Sequence, residues 1–189
     1  MRIDGEVKMK GFKRGNPLFS LCGLNCGLCP MKIGGHCSGC GFGNQSCRIA
    51  KCSLEHGSVE YCFQCEEYPC GRYEHIDDYD SFITHQHRKS DLEKAEHIGM
   101  SAYNQEQEEK AEILEVLLSD YNDGRRKTFY CVAVNLLEID EIKGVLKSIE
   151  EDTELRNMDM KEKSAYIVKR FKELAEDNKI DLKLRKKKS

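Results

Sequence analysis

The chain runs to 189 residues, room for one domain or for a small domain beside a medium one. At 39% hydrophobic and 33% charged, with a formal net charge of -3, it reads as globular and somewhat polar, with no general pull toward nucleic acid or anionic membrane. No apolar run approaches the roughly 20 residues of a membrane span. No apolar stretch accompanies Arg2, Lys8, Lys10, Lys13 and Arg14, as a secretory signal requires, so a cytoplasmic location is expected.

Residues 1–17 form a polar lead-in without periodicity and are expected to be an N-terminal arm. The stretch 18–73 is different in kind. Ten of the eleven cysteines fall between Cys22 and Cys70, within 49 residues: Cys22, Cys26, Cys29, Cys37, Cys40, Cys47, Cys52, Cys62, Cys65 and Cys70. Eight glycines share that stretch, and its larger apolar residues are few. Taken alone, such a segment buries too little surface to offset the entropy of ordering its backbone. In a reducing compartment, metal–thiolate bonds are the expected substitute, ahead of disulfides.

Composition shifts after Tyr73. Glu74 to Lys89 is polar and aromatic without a clean period and reads as a connector lying against the cysteine-rich segment. A short helix is expected over Asp91 to Ile98, capped by Ser90 and stopped by Gly99. Apolar spacings of three and four then predict helices over Gln105 to Asp120, Arg126 to Leu137, Ile139 to Glu150 and Lys161 to Asp177. Asn122-Asp123-Gly124 marks a stop, and Glu138 or Asp140 marks a fresh start. The fold class is therefore mostly α: an N-terminal zinc-knuckle or ribbon-like module packed on a C-terminal helical bundle, with the helical region spanning 74–182. Lys183, Arg185, Lys186, Lys187 and Lys188 form a basic tail over 183–189, read as a solvated end.

A structural zinc site needs about four soft ligands near 2.3 Å in a tetrahedron. A C-x2-C pair supplies half of that, because two intervening residues let both sulfurs turn inward. Three pairs occur: Cys26/Cys29, Cys37/Cys40 and Cys62/Cys65. Around Cys37-Ser-Gly-Cys40, the glycines let backbone N–H groups face the sulfur. Cys22, Cys47, Cys52 and Cys70 remain to complete the shells, with His36 or His56 as further donors. Ten thiols suffice for two four-sulfur sites with two to spare, and either sequential or interleaved pairing is compatible with the spacing. An iron–sulfur cluster is the alternative cofactor, since Cys29-Pro30 echoes the end of a ferredoxin motif, although the full run is absent.

The motifs Cys22-Gly-Leu-Asn-Cys26-Gly-Leu-Cys29-Pro30, Cys37-Ser-Gly-Cys40 and Cys62-Phe-Gln-Cys65-Glu-Glu-Tyr-Pro-Cys70 resemble the prokaryotic domain-of-unknown-function family 3795. The likeness extends more loosely through His97-Ile-Gly99 and Asp123-Gly-Arg-Arg-Lys-Thr-Phe-Tyr-Cys131. It implies a cysteine-rich metal-binding protein and no particular reaction.

Between Cys22 and Cys70, Lys32, Arg48 and Lys51 face Glu55, Glu60, Glu66 and Glu67, a balance that disfavours a nucleic-acid partner. Cys131 reads as an inert core thiol, and His85 and His87 as surface histidines that could share a face. Arg125 and Arg126 mark a polar helix start. The expected function is a zinc-binding protein with structural four-cysteine sites that serves as an interaction or adaptor module for a protein partner, without membrane attachment and with no reaction assigned. The alternatives are an iron–sulfur redox or thiolate-metal enzyme, and a metal-handling protein.

Overall fold

The computed structural model describes residues 9–42 and 46–187, and among them the chain is mostly helical, with seven α-helices and no strand. Two compact units divide it: residues up to Gln107 together with those from Arg185 onward, and Glu108–Leu184.

The first unit contains α1 (Pro30–Ile33), α2 (Arg48–Glu55), α3 (Arg88–Ile98) and the front of α4 (Met100–Asp120), with 3-10 turns at Cys26–Leu28, Cys62–Gln64 and Gly71–Tyr73. Contrary to the reading of the cysteine-rich segment in isolation, this unit has an apolar interior. Phe19, Tyr61 and Tyr73 pack with Leu92 and Ala95 of α3 and Tyr103 of α4. Met9, Phe12 and Leu21 pack with Ile49 and Ala50 of α2. Most of these side chains lie outside Cys22–Cys70, so the segment borrows its core from the residues on either side. Each large side chain removed from water contributes about 1.5–3 kcal/mol.

Close backbone approach makes the borrowing possible. Gly23 has φ +92, and a Cβ there would stand 2.2 Å from the Arg88 carbonyl oxygen, so α3 crosses where only glycine fits. Beside it, the buried Asn25 accepts from the Tyr103 hydroxyl at 3.0 Å and donates to Asp91 at 3.0 Å. Ile76 of the connector packs against both apolar clusters, so the stretch after Tyr73 lies on the cysteine-rich segment as expected.

The polar lead-in divides. Residues 1–8 lie outside the described residues, whereas Met9 and Phe12 are buried and the Arg14 guanidinium is almost fully enclosed. Arg14 donates to the Phe19 carbonyl at 2.8 Å, pairs with Glu60 at 3.3 Å and lies over the Tyr61 ring at 4.8 Å. The basic tail also departs from its reading as a solvated end. Asp80, with a side chain fully removed from solvent, accepts from the Arg185 backbone at 2.7 Å, from its Nη2 at 2.8 Å, and from the His85 backbone at 2.7 Å. Lys188 and Ser189 lie outside the described residues.

The second unit holds the rest of α4 with α5 (Lys127–Leu136), α6 (Ile139–Glu151) and α7 (Met160–Asp177). Its buried stripe residues include Leu114 and Leu117, Val132 to Val134, Ile142 and Ile149, and Ile167 and Phe171. Asp159 caps α7 in a reciprocal box with Glu162, at 2.8 and 3.0 Å. Asn122 and Asp123 accept from the Gly124, Arg126 and Arg125 amides, which turns the chain between α4 and α5. Helix starts differ from expectation at two places. Helix α3 begins at Arg88, where Ser90 donates to the His87 carbonyl at 3.0 Å instead of capping. Helix α4 begins at Met100, because Gly99 at φ +84 ends one helix and the next starts at once.

Candidate metal centre

Two of the three C-x2-C pairs are built alike. Each begins a 3-10 turn in which the second cysteine donates its amide to the first cysteine's carbonyl, Cys29 to Cys26 at 3.2 Å and Cys65 to Cys62 at 3.0 Å. Cys29 and Cys65 then leave the turn at nearly the same backbone angles, φ -81 ψ 131 and φ -85 ψ 133. The third pair turns through Gly39 at φ +108, whose amide donates to the Cys37 sulfur at 3.4 Å. That contact is the N–H···S interaction expected of the glycine-flanked pair. A Cβ on Gly39 would come within 2.4 Å of the Pro17 carbonyl, the group that also accepts from the Cys40 amide.

The thiols fall into two neighbourhoods in chain order, and all ten are free and partly buried. Cys26 is influenced by Cys40, Cys22, Cys29 and Cys37. Burial first, and those sulfurs next, push its thiol well above the ordinary range. Burial likewise pushes Cys40 up to about 11, against the opposing pull of the Leu21 backbone and Arg14. Cys52, Cys62, Cys65 and Cys70 together line one cavity of about 30 Å³, with Tyr73 and Arg72 also in its wall. Burial pushes Cys62 up to about 12. The Cys62 amide donates to the Leu21 carbonyl at 2.9 Å, so Cys22 stands near both neighbourhoods.

Among the described residues, no three Cys, His, Asp or Glu side chains are arranged so that they could hold one metal ion. The surroundings bear on whether these donors suit a metal. The buried Tyr73 hydroxyl lies against Cys62 and finds no hydrogen-bond partner of ordinary geometry. The Arg72 guanidinium approaches the Cys52 sulfur, and Arg14 stands near Cys40. An orphaned donor and two cations beside the thiols fit sulfurs that carry negative charge.

The histidines are differently placed. His36 is exposed. His56 lines the cavity of Cys52, Cys62, Cys65 and Cys70, but its Nδ1 lies 2.8 Å from the Cys52 carbonyl and its Nε2 3.3 Å from Glu67. The Cys52 carbonyl contact, opposed by burial and aided by Glu67, raises its pKa. His85, read as a surface residue, is buried, with Nε2 3.0 Å from the Ser81 hydroxyl and Nδ1 3.4 Å from the Ile76 carbonyl. Burial, with Arg88 adding to it, lowers its pKa to about 4. Cys131 is buried in the middle of α5, in the second unit. Arg126 pairs with Asp123 at 3.5 Å across the turn it was read to follow.

No family model matches the chain, and neither a curated protein nor a solved structure matches it.

Sequence reasoning missed Arg14, Arg72 and Tyr73 as neighbours of the thiols. No spacing rule points to them: Arg14 comes from the lead-in, and Arg72 and Tyr73 share the 3-10 turn after Cys70, whose fold decides which thiols they meet. It also missed α2, which carries Cys52. That helix is eight residues long, and the cysteines on either side drew its residues into a ligand pattern.

No helix among the described residues is long and apolar enough to cross a membrane.

Proposed function

We propose that the N-terminal segment is a zinc-knuckle-like metal module holding two zinc ions, one through Cys26, Cys29, Cys37 and Cys40, the other through Cys52, Cys62, Cys65 and Cys70. Cys22 and Cys47 are then the two spare thiols. The observation that carries this reading is the setting of the sulfurs: each group has an arginine beside it, and the second has an unpaired buried hydroxyl. Four thiolates around one zinc leave a formal charge of about -2. Arg14 at the first group and Arg72 at the second oppose that charge, and a Cys62 thiolate gives the Tyr73 hydroxyl the acceptor it lacks. In this site the thiols turn inward from the positions described above and surrender their protons.

A shell of four sulfurs leaves no position for water, so the ions are structural. Zinc coordination and the borrowed apolar core then act together to order the segment. With no open position for catalysis at the zinc, the module serves to present a surface to a protein partner, in keeping with its resemblance to the metal-binding family of unknown function. Elemental analysis of protein purified without oxygen tests this. About two zincs per chain, a colourless solution, and loss of the N-terminal unit's ordered structure on chelation are expected. A brown solution containing iron, or a metal-free protein that keeps its full structure, would overturn the reading.

A further inference from the structure

A second, larger concavity lies in the same unit, about 660 Å³ in volume, between the start of α2 and the connector that leads into α3. Arg48, Arg72 and Arg88 line it, as do Ile49, Ile76 and Tyr79. Arg88 is buried and pairs with Asp77 at 3.1 Å, so one cation is fixed in the wall. Arg48 and Arg72 are exposed and line the cleft; among the described residues neither pairs with a carboxylate, and Arg72 also approaches the Cys52 sulfur. Glu74 contributes a carboxylate to the wall, and His75 is engaged by Asp78 at 3.0 Å. Ser46, Cys47 and Arg48 also bring the mouth of α2 to the cleft, and that helix has neither a side-chain cap nor an acidic residue in its first turn.

We propose that this cleft binds a small organic phosphate. The phosphoryl group sits between Arg48 and Arg72 at the start of α2, where two guanidinium forks and the helix dipole all favour an oxyanion. The organic portion lies on Ile49, Ile76 and the exposed Tyr79 ring. The volume falls within the range of small-molecule sites, roughly 300–1,000 Å³, and exceeds what a lone phosphate fills. Arg72 lines both this cleft and the cavity of Cys52, Cys62, Cys65 and Cys70, so ligand and thiols share one wall. Arg72 also faces the Cys52 sulfur, so the phosphate site shares that guanidinium with the proposed metal module. Arg48 lines this cleft and not the thiol cavity, and its replacement tests the phosphate site apart from the metal reading.

Titration calorimetry of the full chain at low salt tests the proposal with three probes: inorganic phosphate, phenyl phosphate and phenol. Saturable binding of phenyl phosphate is expected, about tenfold tighter than inorganic phosphate, with no binding of phenol. Arg48→Glu should weaken phenyl phosphate at least about tenfold. Lys51→Glu, the same charge change on the exposed side of α2 and off the cleft, should leave affinity within about twofold. If Arg48→Glu does not fold, Arg48→Gln serves in its place, with the same direction of effect. Absence of saturable binding, equal losses in the Arg48 and Lys51 variants, or unchanged affinity in the Arg48 variant would overturn the site. Equal affinity for inorganic and phenyl phosphate would overturn the assignment of its apolar wall.

Discussion

Replacing Asp80 by alanine removes one carboxylate on which two distant parts of the chain depend. Its oxygens accept from the Arg185 amide, the Arg185 guanidinium and the His85 amide, and its own amide donates to the Arg185 carbonyl at 2.9 Å. Burial alone would raise its pKa, but the bonds from Arg185 and His85 outweigh that and hold the carboxyl below its usual value. Breaking a buried, hydrogen-bonded pair by removing one partner costs about 3–5 kcal/mol. The Arg185 side chain is 36% exposed and recovers water when released, so the lower end applies, about 3 kcal/mol. Arg185→Ala leaves the two backbone bonds to Asp80 in place and should cost about 1–2 kcal/mol. Urea unfolding followed by circular dichroism and tyrosine fluorescence measures both, and the double variant gives the coupling between them. The sign with pH follows from the lowered pKa. This stability is present above the unfolded carboxyl pKa of about 3.9 and is lost as pH falls through the folded value. A loss below about 0.5 kcal/mol in Asp80→Ala, the range of ordinary surface changes, would refute the reasoning.

Three further predictions concern the fold. Gly23→Ala places a Cβ against the Arg88 carbonyl at positive φ and should cost more than about 2 kcal/mol, whereas Gly124→Ala, also at positive φ but with open space around it, should cost about 1; equal losses in the same urea titration would count against the close crossing of α3. His85 is held neutral with a pKa lowered to about 4, so the unfolded chain binds the extra proton first. Stability should therefore fall as pH drops from about 6.5 toward 4, by up to about 3 kcal/mol, and His85→Gln should flatten that slope; parallel profiles would refute it. Phe171→Ala empties a fully buried position between α7 and Tyr130 and should cost about 3–5 kcal/mol, read as a lowered unfolding midpoint.

The helices of the second unit were legible because their stripes are long. Ile139, Ile142, Val145 and Ile149 fall at spacings that only one face of a helix satisfies, and the observed α6 runs Ile139–Glu151. Asn122-Asp123-Gly124 was legible for a local reason, since its side chains bond amides two to four residues on. The first unit resisted such reading because its order comes from contacts far apart in sequence. Phe19 meets Tyr103 at 4.6 Å between ring centres, and Asp80 meets Arg185, and neither pairing leaves a periodic trace. The cysteine spacings did point to a site. They did not group the thiols. The cavity that Cys52, Cys62, Cys65 and Cys70 line together depends on how α2 and the two later turns fold. The Cys62 amide bonding to the Leu21 carbonyl brings Cys22 close to that set as well as to Cys26 and Cys40.

Native mass spectrometry of zinc-loaded single variants asks most directly whether two sulfur sets hold the metal. The account predicts two zincs for the unaltered chain, one for Cys26→Ser, one for Cys62→Ser, and two for Cys22→Ser and for Cys131→Ser. An unaltered chain that retains no zinc, or a Cys22 variant that loses an ion while the Cys62 variant keeps both, would contradict it.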